Sequence, residues 1–190
     1  MGLIKSVTNK IKNIWYGYTG NEEKILQNKI EKFIAQGGKC GKNFKFYGNM
    51  PFEPYLVEFG DNVTLAAGSD LICHDNSVIK CDINATDYYG RIKIGNNCFI
   101  GARSIVLPGV ILGDNTIVGA GSVVTKSYPE GNVIIAGNPA RSICSFEEFK
   151  RKKSPISVDW EKASESFEGT SLERKRKYIE SLPENMFEHK

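Results

Sequence analysis

The chain has 190 residues, 41% of them hydrophobic, and carries 25 Lys and Arg against 22 Asp and Glu, a formal net charge of +3. That size suits one modest globular unit with appendages, and so small a positive excess gives no electrostatic footprint for nucleic acid. No apolar run approaches the roughly eighteen residues of a membrane span and no charged-then-apolar leader opens the chain, so a cytoplasmic protein is expected.

In chain order, Met1-Gly2 with Ser6 formally matches a myristoylation start, but the Lys-rich stretch after it reads more simply as an amphipathic segment. Residues 21–36 place Ile25, Leu26, Ile30, Phe33 and Ile34 at near-helical spacing after an Asn21 cap and Glu22-Glu23, with Gly37-Gly38 as the stop. A helix packed against the next segment is expected, within an N-terminal portion of residues 1–39. Residues 40–58 are irregular, and Pro51 and Pro54 forbid regular ladder bonding there.

From Ile94 every sixth residue is aliphatic: Ile94, Ile100, Val106, Leu112, Val118 and Val124. On a helix, six residues turn the side chain by about 600° and scatter these positions over several faces; on an extended chain six is a multiple of the two-residue alternation, and all point one way. Gly95, Gly101, Gly113 and Gly119 follow four of the six, and Asn96-Asn97, Pro108-Gly109 and Asp114-Asn115 fall where tight corners belong. Cys98, Ser104, Val110, Thr116 and Ser122 recur four places after an aliphatic. The same stride runs upstream through Phe59, Leu65 and Leu71. An ordinary β-sandwich needs no fixed stride, whereas a β-coil of hexads does.

Leu71 and Ile94 are 23 positions apart, not a multiple of six, so the chain leaves the coil between them. Residues 75–91, DNSVIKCDINATDYYGR, carry the turn formers of such an excursion, and a loop on a rigid scaffold is where a ligand is met. Asp87 and Tyr88 are candidate contacts on it. His74 stands at its root and is one of two histidines, the other being His189 near the end. Cys40, Cys73, Cys81, Cys98 and Cys144 are odd in number and lack CxxC spacing, which suggests neither a disulfide framework nor a zinc cluster. A Cys73 nucleophile beside His74 would require the chain to bend, since neighbours on a strand point oppositely. After Arg141 the stride stops; Ser145 to Glu148 is a capping box opening a helix to about Lys152, and Ser171–Leu182 reads as a second helix after a loose connector. A helix is expected over the open edge of the last coil.

The hexads, together with GAGSVVTK followed by AGNPAR, resemble the left-handed parallel β-helix acyltransferases over about residues 40–150, closest in look to maltose- and galactoside-type and polysaccharide-cluster sugar O-acetyltransferases. The resemblance implies an all-β prism over residues 40–140 with a helical cap and tail over 141–190, three hexads to a turn, and a homotrimer with sites between subunits. It implies acetyl-CoA as donor, no metal, and a sugar or surface-glycan hydroxyl as acceptor. His74 matches the place of the family's catalytic histidine. Asp75 beside it is the candidate catalytic carboxylate, and Asp75, Asp87 and Glu53 are all open as the group that holds the second ring nitrogen. Asn49, Glu53, Asp87 and Tyr88 are the acceptor-contact candidates. The positions matching coenzyme A contacts are Ala102, Ala120, Thr125, Lys126 and Arg141, while Cys144 stands where a further basic residue is often found. An amino-sugar or antibiotic acetyltransferase and a non-enzymatic scaffold are the rival expectations. The prism carbonic anhydrases need several histidines, and the repeat region has only His74.

Overall fold

The computed structural model describes residues 22–81, 83–159, 162–163, 165–169 and 171–183. The Met1-Gly2 start, the Asn21 cap and His189 lie outside the described residues.

Helix α1 (Glu22–Ala35) drives Phe33 into a cluster with Phe44, Phe46 and Phe59, with ring centroids 6.2, 5.7 and 5.6 Å away. Ile34, expected on the apolar face, is 52% exposed: it lies about 100° around the helix from Phe33. The helix ends in a Schellman arrangement. Gly37 takes φ +88°, the Gly38 N–H donates to the Phe33 carbonyl at 3.1 Å and the Gly37 N–H to that of Ile34 at 2.9 Å. A Cβ on Gly38 would fall 2.3 Å from the Phe33 ring, so any other residue there must displace that buried ring.

Short strands then wind into three sheets. The first stacks β2 (Val57–Phe59), β7 (Ile92–Ile94) and β10 (Ile111–Leu112). The second holds β1 (Lys45–Phe46), β3 (Thr64–Leu65), β8 (Phe99–Ile100), β11 (Thr116–Val118), β13 (Val133–Ala136) and β14 (Arg141–Ser145). The third stacks β4 (Asp70–Leu71), β9 (Ile105–Val106) and β12 (Val123–Val124). All these pairings are parallel except β13 with β14.

The stride-of-six residues, joined by Phe46 and Ile135, become three columns, one per sheet: Phe59, Ile94 and Leu112; Phe46, Leu65, Ile100, Val118 and Ile135; Leu71, Val106 and Val124. None of these side chains is more than 4% exposed. The small residues four places on, Cys98, Ser104, Val110, Thr116 and Ser122, fill the inside of the corners and are likewise buried. The buried hydroxyls are satisfied by the backbone: Ser104 and Ser122 both donate to the Gly119 carbonyl, and Thr116 donates to that of Gly113.

One corner carries an asparagine ladder. Asn43, Asn62, Asn97, Asn115 and Asn132 all take positive φ, between 50° and 56°, a conformation that asparagine tolerates better than most L-residues. Each amide donates to the next carbonyl oxygen, at 2.8, 2.8, 2.6 and 2.9 Å. At the next corner Ala102 and Ala120 lie one turn apart, and the Gly121 N–H donates to the Ala102 carbonyl at 2.8 Å.

In the regular middle coils partners are 18 positions apart, as Asn97 and Asn115 are, but across the excursion they are 35 apart, as Asn62 and Asn97 are. The excursion therefore adds 17 residues without shifting the stack. At its root β5 (His74–Asp75) pairs antiparallel with β6 (Tyr88–Tyr89). At the far end the exposed edge of the second sheet is closed by β14, antiparallel on β13, where a helix was expected. Either device pairs or covers the free N–H and C=O groups of an edge. The chain divides into two compact units, one through Phe146 and one from Glu147. The second is helical and charged: α2 (Phe146–Lys153) begins at the division, and α3 (Ser171–Glu180) has an Arg176–Glu180 ion pair at 2.7 Å. Among the described residues no helix is long and apolar enough to cross a membrane.

Candidate active site

The segment Pro51-Phe52-Glu53-Pro54 lies between the first strand of the second sheet and the first of the first. Both prolines are buried. Lacking N–H donors they keep the segment out of the ladder and fix its path. The path brings Glu53 Oε1 to 2.9 Å from His74 Nδ1. The contact is close but not directed along the ring N–H, and Glu53 Oε2 is buried without a hydrogen-bond partner among the described residues. The Glu53 side chain is 14% exposed and that of His74 33%, so the carboxylate is enclosed while one edge of the imidazole meets solvent.

The strand alternation sends Cys73 inward, 1% exposed, and His74 outward. Burial first, and then the Glu53 charge, push the Cys73 thiol up to about 11. It stays protonated near neutrality and is no nucleophile. The Glu53 contact raises the His74 pKa above its usual value, against desolvation, with the charges of Glu53, Asp87 and Asp75 adding to it.

Of the three carboxylates open from the sequence, Glu53 reaches the ring. Asp75 is engaged elsewhere: its Oδ1 accepts the Ser77 N–H at 2.7 Å and its Oδ2 the Tyr88 hydroxyl at 3.3 Å, and the Ser77 bonds hold its carboxyl below the ordinary range. Asp75 and Tyr88 thus tie the root of the excursion. Asp87 acts on His74 and Tyr89 through its charge. Asn49 donates to Asp70 Oδ1 at 2.8 Å. Asp70 lines a cleft of about 290 Å³ that Met50, Phe52 and Glu53 share with Ile72 and His74. Two residues that the sequence did not single out border the imidazole: the Phe52 ring stands edge-on at 6.3 Å and the Tyr89 ring at 5.7 Å. The bracketing prolines were the available sign for Phe52. For Tyr89 it was only its place beside Tyr88.

The other candidates form a second group. Ala102 and Ala120 present small exposed side chains on one corner, and Thr125 and Lys126 follow β12, also exposed. Lys126 Nζ lies 5.4 Å from the centroid of Tyr128, whose hydroxyl donates to the Ala140 carbonyl at 3.1 Å; Arg141 Nη1 donates to that carbonyl at 2.9 Å. One cation thus lies over the Tyr128 ring and a second at the Ala140 carbonyl that the Tyr128 hydroxyl shares. No hydrogen bond, ion pair or ring contact joins this group to His74 among the described residues.

Three buried columns at a stride of six, wound in parallel turns of eighteen, define a hexapeptide-repeat protein. Residues 91–126 match the family described as hexapeptide repeat of succinyl-transferase. Protein CapG of Staphylococcus aureus is 50% identical over 131 residues, which cover 67% of this chain and 76% of that protein. Galactoside O-acetyltransferase of Escherichia coli (strain K12) is 41% identical over 105 residues, 54% of this chain and 51% of the enzyme. A galactoside acetyltransferase structure in complex with coenzyme A aligns with a TM-score of 0.52 and 38% identity over 59% of this chain and 56% of that one. The chain thus spans little more than half the length of these galactoside enzymes. It belongs to the hexapeptide-repeat acyltransferase family.

Proposed function

We propose that the protein transfers an acetyl group from acetyl-CoA to a hydroxyl of a sugar or glycan precursor, with His74 as general base. The observation that carries this is the Glu53–His74 contact of 2.9 Å at the mouth of a cleft. The Glu53 carboxylate is the charge partner at Nδ1 and leaves Nε2 to take the proton of the acceptor hydroxyl. As the acceptor oxygen attacks, the imidazole becomes imidazolium, and the enclosed carboxylate beside it stabilises that charge. Acetyl-CoA, when bound, supplies the thioester carbonyl; its C–S bond breaks and the sulfur recovers the proton from His74. No covalent enzyme intermediate is required. Asp75 serves by holding the excursion rather than the ring.

The residues present fit the donor. Ala102 and Ala120 leave a shallow corner along which a pantetheine arm can run, and Lys126 over Tyr128 and Arg141 at the Ala140 carbonyl offer two cations to its phosphates. Kinship with the galactoside acetyltransferase bound to coenzyme A supports this reading; a left-handed coil and a homotrimer with sites between subunits are what the family resemblance implies. The test is an acyl-CoA thermal-shift panel followed by acceptor screening, then His74→Asn. The variant is expected to bind acetyl-CoA as before and to lose about 10²- to 10⁴-fold in turnover. Turnover within about threefold of the unaltered protein, far inside the general-base range, makes His74 structural.

A further inference from the structure

Phe52 is 92% exposed, the most exposed of the large apolar side chains described. It does not hang on a loose loop. The buried prolines on either side fix the backbone that carries it, and the neighbouring Glu53 is held at His74. Its ring stands at 72° to the imidazole with centroids 6.3 Å apart. The Tyr89 ring, itself 60% exposed, lies 5.7 Å from the same imidazole at 36°. An aromatic side chain displayed rigidly in water beside a reactive base gives up the burial that such a ring ordinarily contributes, and a ligand that covers it restores that burial.

We propose that Phe52, with Tyr89, is the platform on which the acceptor's pyranose ring stacks, placing one hydroxyl at His74. A pyranose has an apolar face of C–H groups and a polar edge of hydroxyls. The site offers both partners: the aromatic faces, and at the same cleft Asp70, bonded by Asn49 at 2.8 Å, with the Glu53 carboxylate behind. A straight-chain alcohol would use His74 and leave the rings uncovered. One tetrapeptide, Pro51 to Pro54, thereby sets both the orientation of the base and the seat of the substrate.

This rests on the acetyltransferase function proposed above, and the test separates the two. Binding of methyl pyranosides is measured by saturation-transfer NMR and calorimetry, without donor, on the full chain and on Phe52→Ala and Phe52→Tyr. Acetyl transfer is then measured to the same pyranosides and to glycerol, which has no ring. Phe52→Ala is expected to weaken pyranoside binding about tenfold, with Phe52→Tyr within about twofold of the unaltered protein, and to lower kcat/KM toward pyranosides about tenfold more than toward glycerol. Equal losses toward pyranosides and glycerol would mean that Phe52 acts only by holding Glu53, and would overturn the platform. Loss of the oligomer in Phe52→Ala by light scattering would show the ring packed against another copy, and would overturn it as well. Absence of pyranoside binding to the unaltered protein also refutes it. Pyranoside binding lost in Phe52→Ala, with no acetyl transfer to any acceptor, sustains the platform and removes the acetyltransferase function instead.

Discussion

Asn115 is the sharpest place to test what holds the coil in register. Its carbonyl oxygen accepts the Asn97 amide at 2.6 Å and its own amide donates to Asn132 at 2.9 Å, while its backbone sits at φ +55°. Alanine removes both side-chain bonds, each contributing about 0.5–1 kcal/mol at a half-exposed corner where the orphaned partners can rehydrate. Alanine keeps the Cβ that asparagine already places in the left-handed region but has no polar side chain to offset its strain, which leaves about 1–2 kcal/mol uncompensated. Asn115→Ala is therefore expected to destabilise by about 2–4 kcal/mol. Glycine loses the same bonds without the steric penalty, and Asn115→Gly should cost about 1–2 kcal/mol. Urea unfolding at one fixed protein concentration measures both, since any oligomer ties stability to concentration. If the two variants match each other and the unaltered protein within about 0.5 kcal/mol, the ladder contributes nothing and the corners are held by backbone pairing alone.

For Glu53→Gln, the sign follows from the charge it removes. Only neutral imidazole accepts a proton, so activity rises with pH through the His74 pKa; losing the contact that raises that pKa should move the rising limb of kcat/KM to lower pH and reduce its plateau about tenfold, and a limb that stays in place refutes the pairing. Arg141→Ala should weaken acetyl-CoA binding by about 1.5 kcal/mol at low salt, the lower end for a charged contact because the side chain is exposed, and added salt should narrow the gap; calorimetry at two ionic strengths checks both. Cys73, buried and with its thiol raised to about 11, should resist iodoacetamide at pH 8 in the native protein while the exposed Cys81 reacts; peptide mapping that finds Cys73 alkylated first overturns that assignment.

The repeat was open to inspection in the sequence because one geometric rule controls it. A residue six places on faces the same way, so Ile94, Ile100 and Val106 announce three walls of one core even though each belongs to a different sheet. The break in that stride located His74 at the excursion root. Its partner was not decidable, because Glu53 lies in the proline-bracketed stretch where no stride operates, and only the folded path brings it across 21 positions to the ring. Asp75, the carboxylate nearest in sequence, is taken by Ser77 and Tyr88, a local turn that outcompetes the imidazole. The closing strand β14 was missed for a related reason. It runs antiparallel, is mostly exposed, and so leaves no buried aliphatic at the sixth place.

The 17 residues added between adjacent coils leave and rejoin the stack at the same level, with Leu71 still on Val106 and Phe59 still on Ile94. The coil is therefore indifferent to how long that insertion is, and the entropy of closing a loop grows only with the logarithm of its length. Asp75, Asp87, Tyr88 and Tyr89 travel with the insertion, whereas Glu53, Ala102, Ala120 and Lys126 lie outside it. A lineage built on this scaffold can rewrite one wall of the histidine's surroundings by exchanging a single surface loop, while the cluster around Ala140 and the stacked columns pass unchanged from parent to descendant.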